Sequence, residues 1–175
     1  MEDDSGIGCS IWLIPDKNAA KKITPIISQL SAIHGSPLFE PHITLIKGIP
    51  ITKNIIKNFK TFFDNTYCFD LSSKSINTDI HYFKCIFLEI EKNKELLDLR
   101  NKTENFFKVI ERTYEPHISL LYSDISLAER KKEARNISLD TGKITINKIK
   151  LYKTIGKVYS WEELASISLK KKSSI

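Results

Sequence analysis

Apolar residues along this chain follow the two-residue period of a strand in some stretches and the longer period of a helix in others. The two-residue period predicts strands at residues 8–15, 40–47, 67–80, 82–91, 143–153 and 161–169, with a turn around Gly156 before the last, and a further strand that carries His117. Helical spacing predicts four helices: one opened by Thr24 and Pro25 and ended by Gly35, one capped by Thr52, one from Leu96 to Ile110, and one opened by a capping box at Ser126 and Glu129. The order helix, strand, helix, strands occurs twice, which indicates an α+β fold.

One strand in each half carries nearly the same octapeptide. Residues 39–46 read FEPHITLI and residues 114–121 read YEPHISLL, with five of the eight positions identical. His42 and Thr44, like His117 and Ser119, are two residues apart and therefore share one face of a strand. If the two halves are related by an approximate twofold axis, both imidazoles and both hydroxyls meet in one cleft.

Two histidines and two hydroxyls that face one substrate suit chemistry at phosphorus. Histidine titrates near neutral pH, so one imidazole can act as base and the other as acid, each contributing about 10²–10⁴-fold to the rate. The hydroxyls of Thr44 and Ser119 can donate hydrogen bonds to phosphate oxygens that gain charge in a pentavalent arrangement. The set predicts in-line attack on phosphorus without a metal, with His42 and His117 as the catalytic residues.

The repeated histidines have three other interpretations: a serine hydrolase, a metal site, or a purely structural role. A serine hydrolase is disfavoured because Ser119 and His117, two residues apart on one strand, do not readily reach nucleophile-to-base geometry, and no GxSxG segment is present. A metal site would use Glu40 and Glu115 as further ligands, since they share strand parity with the histidines. Purely structural histidines are the third interpretation, and the duplication of the whole segment argues against them.

Composition narrows the class of protein without changing this picture. The 175 residues, 41% of them hydrophobic, are enough for a substantial core, and a single domain over residues 1–175 with two halves around it is the expectation. The net charge of +6 favours phosphate-bearing partners weakly, and the basic tail at residues 170–175 is interpreted as a solvated surface. Three cysteines without CxxC spacing, an acidic start and short apolar runs predict a soluble, intracellular and by default cytoplasmic monomer without a transmembrane segment.

The paired PHIT and PHIS segments resemble the HxT/S signatures of the two-histidine (2H) phosphoesterase superfamily. Three further segments, SIWLIP at residues 10–15, FKCIFL at 83–88 and HISLLY at 117–122, resemble the cyclic phosphodiesterases of plants and fungi. The resemblance covers nearly the whole chain. It implies a bilobal 2H phosphoesterase-like fold, in which two pseudo-symmetric lobes bring antiparallel sheets together at a central cleft with the helices outside.

The resemblance also implies an activity. Members of this family hydrolyse nucleoside 2′,3′-cyclic phosphates to 2′-phosphates, and ADP-ribose 1″,2″-cyclic phosphate, a by-product of tRNA splicing, to the 1″-phosphate. It implies a small cyclic-phosphate nucleotide as the partner, no stable nucleic-acid partner, and neither a metal nor an organic cofactor. By matching position, His42 and His117 would be catalytic, Thr44 and Ser119 would hold the phosphate, and Trp12 and Tyr122 would line the mouth against a base or ribose. Analogy with the family favours His117 as the base and His42 as the acid, an assignment that the pseudo-symmetric repeat leaves open. Fungal relatives also suggest an association with the Golgi.

Two alternatives to this activity stay open. Another branch of the superfamily ligates RNA through 2′-5′ linkages or trims RNA 3′ ends, which requires a groove for several nucleotides; the modest and scattered basic charge argues against such a groove. A non-catalytic nucleotide-binding module with the same fold is the second alternative. It is weakened because both pairs of histidine and hydroxyl are intact.

Overall fold

The chain runs twice through the same order of elements. The computed structural model describes residues 8–111, 113–140 and 142–172. The first run comprises β1 (Cys9–Pro15), α1 (Lys17–His34), β2 (Ile43–Ile49), α2 (Ile55–Phe63) and β3 (Phe69–Thr78). The second comprises β4 (Ile86–Ile90), α3 (Lys94–Phe107), β5 (His117–Leu121), α4 (Leu127–Asn136) and β6 (Lys143–Lys153), followed by β7 (Glu162–Ser168). Short 3₁₀ turns at Tyr82–Lys84 and Val158–Ser160 precede β4 and β7.

The strands form one antiparallel sheet in which the two runs exchange partners. Within the described residues the order is β1-β2-β5-β4-β3-β6-β7, and β1 also pairs with β6. The strands of the two octapeptides, β2 and β5, pair where Ile43 lies opposite Ile118. The third strand of each run pairs with the first strand of the other, β3 with β4 and β6 with β1. Neither run therefore completes its own part of the sheet.

The helices repeat this exchange as they cover the sheet. The helix before each octapeptide strand packs on the octapeptide strand of the other run, α1 on β5 and α3 on β2. Likewise α2 contacts β6 and β7, and α4 contacts β3. The apolar side chains between helices and sheet are fully buried and include Ile11, Leu13, Ile27, Ile43, Phe59, Phe63 and Ile118. The predicted α+β fold with a twofold repetition is confirmed.

The first helix begins earlier than predicted. Asp16, not Thr24, is its N-cap, and the Asp16 carboxylate accepts a hydrogen bond of 3.0 Å from the Ala19 N–H. Pro25 lies inside the helix, although proline in a helix interior costs about 3 kcal/mol. The helix tolerates it because the buried stripe of Ala19, Ile23 and Ile27 begins before the proline. The predicted end at Gly35 is confirmed, with a left-handed φ of 62°.

Four other predicted boundaries were wrong by a few residues. The first octapeptide strand begins at Ile43 instead of residue 40, because Pro41 has no N–H to donate to a neighbouring strand. The second helix follows Asn54 instead of Thr52, and the third ends at Phe107, short of the exposed Ile110. Residues 82–84 form a 3₁₀ turn instead of the start of a strand. The capping box of α4, between Ser126 and Glu129, is confirmed.

Candidate active site

Each motif histidine is held by the backbone of its own octapeptide. Nδ1 of His42 lies 2.6 Å from the carbonyl oxygen of Glu40, and Nδ1 of His117 lies 2.7 Å from that of Glu115. A carbonyl oxygen can only accept a hydrogen bond, so Nδ1 is the donor in both rings. Nε2 is then the nitrogen that can take or give a proton. Both octapeptides thus present their imidazole in the same tautomer.

The sheet register places the four motif side chains on one face. Extending the pairing of Ile43 with Ile118 by one residue sets His42 opposite Ser119 and Thr44 opposite His117. Residues directly opposite on neighbouring antiparallel strands point to the same side of the sheet. The structure therefore brings together both predicted pairs of imidazole and hydroxyl, at the junction of the two runs.

Burial lowers the pKa of both imidazoles. The pKa of His42 falls to about 4, mainly because burial disfavours the charged ring; the Glu40 carbonyl opposes this shift, while the nearby His117 and Lys150 add to it. The pKa of His117 is also lowered, again mainly by burial. Both rings are therefore neutral in the free protein at pH 7. A phosphate anion between them favours protonation, which gives one ring the proton that an acid needs.

The two predicted aromatic site residues lie beneath the surface. Trp12 is 3% exposed, and its indole is stacked between the rings of His42 (3.6 Å between centroids) and Tyr152 (3.9 Å). Tyr122 is 2% exposed and stacks on Phe39 at 3.8 Å. Neither ring stands at an open mouth, contrary to the expected position, because neighbouring rings cover them. Their contact with a substrate stays a prediction.

The predicted phosphate ligand Ser119 is turned towards the protein. Its hydroxyl donates a 2.7 Å hydrogen bond to the carbonyl oxygen of Phe83. The neighbouring Tyr122 is buried, and burial raises the pKa of its phenol. To donate to a phosphate, the Ser119 hydroxyl has to rotate away from Phe83. Trp161 packs beside this group, with ring centroids 5.5 Å from Phe83 and 5.8 Å from Trp12.

Several residues around the histidines were not found from the sequence. They are Lys84, Lys150, Tyr152 and Trp161, which reach the site from β6 and from the turns before β4 and β7. No local pattern marks them, since their position depends on the strand order. The repeated Glu40 and Glu115 were the one pattern in the sequence that could have pointed to the two lysines. In the sequence alone, these glutamates indicated only possible metal ligands.

The chain has two further histidines, which lie outside the octapeptides. His34 ends α1, where its Nε2 is 3.6 Å from a Glu133 carboxylate oxygen, and His81 lies near Asp79. Residues 8–111, 113–140 and 142–172 contain no group of three or more His, Cys, Asp or Glu side chains suited to a metal ion. In the same ranges no helix is long and apolar enough to cross a membrane.

Known proteins resemble this chain in sequence and in fold. Residues 7–169 match the family described as cyclic phosphodiesterase-like protein. A cyclic phosphodiesterase of Arabidopsis thaliana is 25% identical over 170 residues, which span 91% of this chain and 94% of that protein. Escherichia coli LigT, solved with 3′-AMP, superposes with a TM-score of 0.58 at 14% identity and covers 93% of this chain and 98% of its own. The TT0787 protein of Thermus thermophilus gives 0.63 at 12% identity, covering 95% and 100%.

These similarities carry different weight. The two solved structures, at such low identity, show a shared fold and nothing finer. The family match extends over most of the chain and includes both octapeptides. The chain therefore belongs to the cyclic phosphodiesterase-like proteins, a family of enzymes in the 2H phosphoesterase superfamily.

Proposed function

We propose that this enzyme hydrolyses nucleoside 2′,3′-cyclic phosphates to nucleoside 2′-phosphates, and ADP-ribose 1″,2″-cyclic phosphate, a by-product of tRNA splicing, to the 1″-phosphate. The main support is the paired geometry of His42 and His117, each fixed through Nδ1 so that Nε2 remains for proton transfer. The Arabidopsis relative is named a cyclic phosphodiesterase, and LigT has been solved with 3′-AMP, a small nucleotide. A small cyclic-phosphate nucleotide fits both similarities.

In this mechanism water attacks phosphorus opposite the bond that breaks. Nε2 of His117, by analogy with the family, accepts the proton of the attacking water. The bond between phosphorus and the ribose 3′ oxygen breaks, and Nε2–H of His42 protonates that oxygen. Thr44 and Ser119 donate hydrogen bonds to the non-bridging oxygens, whose charge grows in the transition state. The product keeps its phosphate on the 2′ oxygen, and proton exchange with solvent returns both rings to their starting states.

The first test is turnover with and without the two imidazoles. The wild-type enzyme, in EDTA, is incubated with a 2′,3′-cyclic nucleotide and with ADP-ribose cyclic phosphate, and products are identified by phosphorus NMR. We expect 2′-phosphate and 1″-phosphate products. His42→Ala and His117→Ala are each expected to lower kcat by about 10²–10⁴-fold. His81→Ala is the matched control, because His81 lies outside the paired motifs, and it should keep wild-type activity.

Each possible failure of that test has a distinct meaning. No turnover of either substrate by a folded wild-type enzyme would reject the proposed activity. A 3′-phosphate product would mean that the 2′ oxygen is the leaving group. Activity that survives in either histidine variant would reject paired acid–base catalysis.

A second test separates the acid from the base. Sulfur in place of the bridging 3′ oxygen makes a leaving group that departs as a thiolate and needs no proton. His42→Ala should recover most of its lost rate with this cyclic phosphorothiolate, measured by release of free thiol, whereas His117→Ala should not. Recovery by His117→Ala instead would reverse the two assignments.

A further inference from the structure

The glutamate of the first octapeptide makes two kinds of contact. Its backbone carbonyl holds His42, while its carboxylate oxygens lie 2.9 and 2.7 Å from Nζ of Lys150. The same ammonium is 2.9 Å from the carboxylate of Glu163, and the Lys150 side chain is only 12% exposed. One shielded ammonium is thus fixed between two carboxylates, next to the segment that aims an imidazole.

The glutamate of the second octapeptide makes the same two contacts. The Glu115 carbonyl holds His117, and the Glu115 carboxylate accepts a hydrogen bond from Nζ of Lys84. Nζ of Lys84 also lies 3.6 Å from the carboxylate of Asp79, and the Lys84 side chain is 15% exposed. Here too one lysine stands between two carboxylates.

The two lysines come from different places in the two runs. Lys150 belongs to β6, directly opposite Trp12 of β1, whereas Lys84 ends the 3₁₀ turn before β4. The repetition of elements therefore accounts for Glu40 and Glu115 but not for their partners. At each octapeptide a lysine binds the glutamate carboxylate, and the two lysines come from elements that the repeat does not relate. An ordinary exposed ion pair, which contributes little to stability, gives no reason for this coincidence.

We propose that Lys150 and Lys84 are positioning residues for His42 and His117. Each lysine anchors a glutamate, and the following proline, with its fixed φ, joins that glutamate stiffly to the histidine. Loss of the anchor lets the carbonyl swing, so that Nδ1 loses its acceptor and Nε2 leaves its working position. This inference rests on the proposed function only in taking the two histidines as the groups that transfer protons.

Kinetics provide the first test. Lys150→Met and Lys84→Met should each lower kcat about 10–100-fold, since small misplacements of a reacting group have effects of this size, and change KM less than about threefold. Lys143→Met is the matched control: Lys143 also lies in β6 and pairs with a carboxylate, Asp70 at 3.0 Å, but it is 68% exposed and remote from the histidines. Lys150→Arg keeps the charge and should restore most of the rate.

The ring tautomers provide a second test that does not need turnover. In the free protein, nitrogen chemical shifts should show Nδ1–H for both motif histidines. Lys150→Met should introduce the Nε2–H tautomer at His42 alone, and Lys84→Met at His117 alone. The charged groups that act on the two rings are Lys150 at His42, and Lys84, Glu115 and Asp79 at His117, with Glu89 opposite His117 in the sheet. Each variant removes one lysine and leaves every carboxylate in place.

The outcomes decide between positioning and other roles. Rates and tautomers equal to those of Lys143→Met in both variants would overturn the inference. A rise in KM at constant kcat would also overturn it, since the lysines would then contact the phosphate directly. If Lys150→Met fails to fold, Glu40→Gln carries the test, because it keeps the carbonyl and removes the charge that Lys150 binds. Absence of turnover in the wild type would reject the proposed function. The tautomer measurement would still test the positioning role of the lysines, because it does not need turnover.

Discussion

Burial of His42 connects the protonation of its imidazole to the stability of the fold. Its folded-state pKa of about 4 lies below the ordinary histidine value of 6.5, so the folded protein binds a proton less readily than the unfolded chain. The resulting stabilisation is complete above pH 6.5 and is lost as the pH falls from 6.5 towards 4. A shift of this size corresponds to about 3 kcal/mol.

We therefore expect the free energy of unfolding to fall more steeply with acid in the wild type than in His42→Asn. Between pH 7 and pH 4 the difference between the two losses should be about 3 kcal/mol, measured by urea unfolding at each pH. The carboxylates and the other histidines titrate in both proteins, so their effects cancel in this comparison. Parallel losses in the two proteins would show that His42 is not held neutral by the fold.

At this scale the sequence predicted which residues meet but not how they are packed. His42, Thr44, His117 and Ser119 were predictable because a repeated motif marks them and strand parity puts each pair on one face. The sandwich of Trp12 between His42 and Tyr152 was not, since it needs the register of three strands that are distant in sequence.

At the scale of elements, one arginine of α3 joins both octapeptides. Arg100 is 3% exposed, and it donates a hydrogen bond of 2.7 Å to the carbonyl of Leu45 in the first octapeptide. Its guanidinium lies 3.8 Å from the ring of Tyr114, the first residue of the second. It also pairs with Glu104 at 2.6 Å and Glu111 at 2.9 Å. The helix thereby ties β2 to the segment that leads into β5.

Removal of this arginine should destabilise the protein severely. Arg100→Met leaves two largely buried carboxylates without their cation, and we expect a loss of about 3 kcal/mol in the free energy of unfolding. Lys94→Met breaks a surface pair with Asp98 in the same helix, in which the lysine side chain is 89% exposed, and it should leave the midpoint of urea unfolding unchanged. Equal midpoints for the two variants would contradict a bracing role for Arg100.

Boundaries of elements were predictable where the signal is local. The capping box at Ser126 was recognised because both of its residues lie within one turn of helix. The start of α1 was missed because Pro25 suggested the first position of a helix. The buried residues that decide the boundary, Ala19 and Ile23, lie before this proline. Packing against the sheet, which a single segment does not reveal, outweighed the local preference.

At the scale of the whole molecule, the exchange of third strands went beyond what the sequence could predict. Repetition of elements indicated two similar halves around a shared core. Nothing in the repeat tells whether β3 returns to its own half or crosses to the other. It crosses, as does β6, and β3 then pairs with β6 as well, so that β1-β2-β5-β4-β3-β6 form a closed ring of strands that includes both octapeptide strands.

The site lies where two similar runs of elements meet about an approximate twofold axis. Such an axis limits how far the surroundings of the two histidines can differ. Two identical subunits joined about such an axis would have to give both imidazoles identical surroundings, and any substitution would appear twice. A single chain with an internal axis is free of that constraint. Here His42 lies against an indole while His117 lies edge-on to Phe87, and their lysines arrive by different routes. Covalent continuity thus allows an almost symmetric frame to give its two histidines different surroundings.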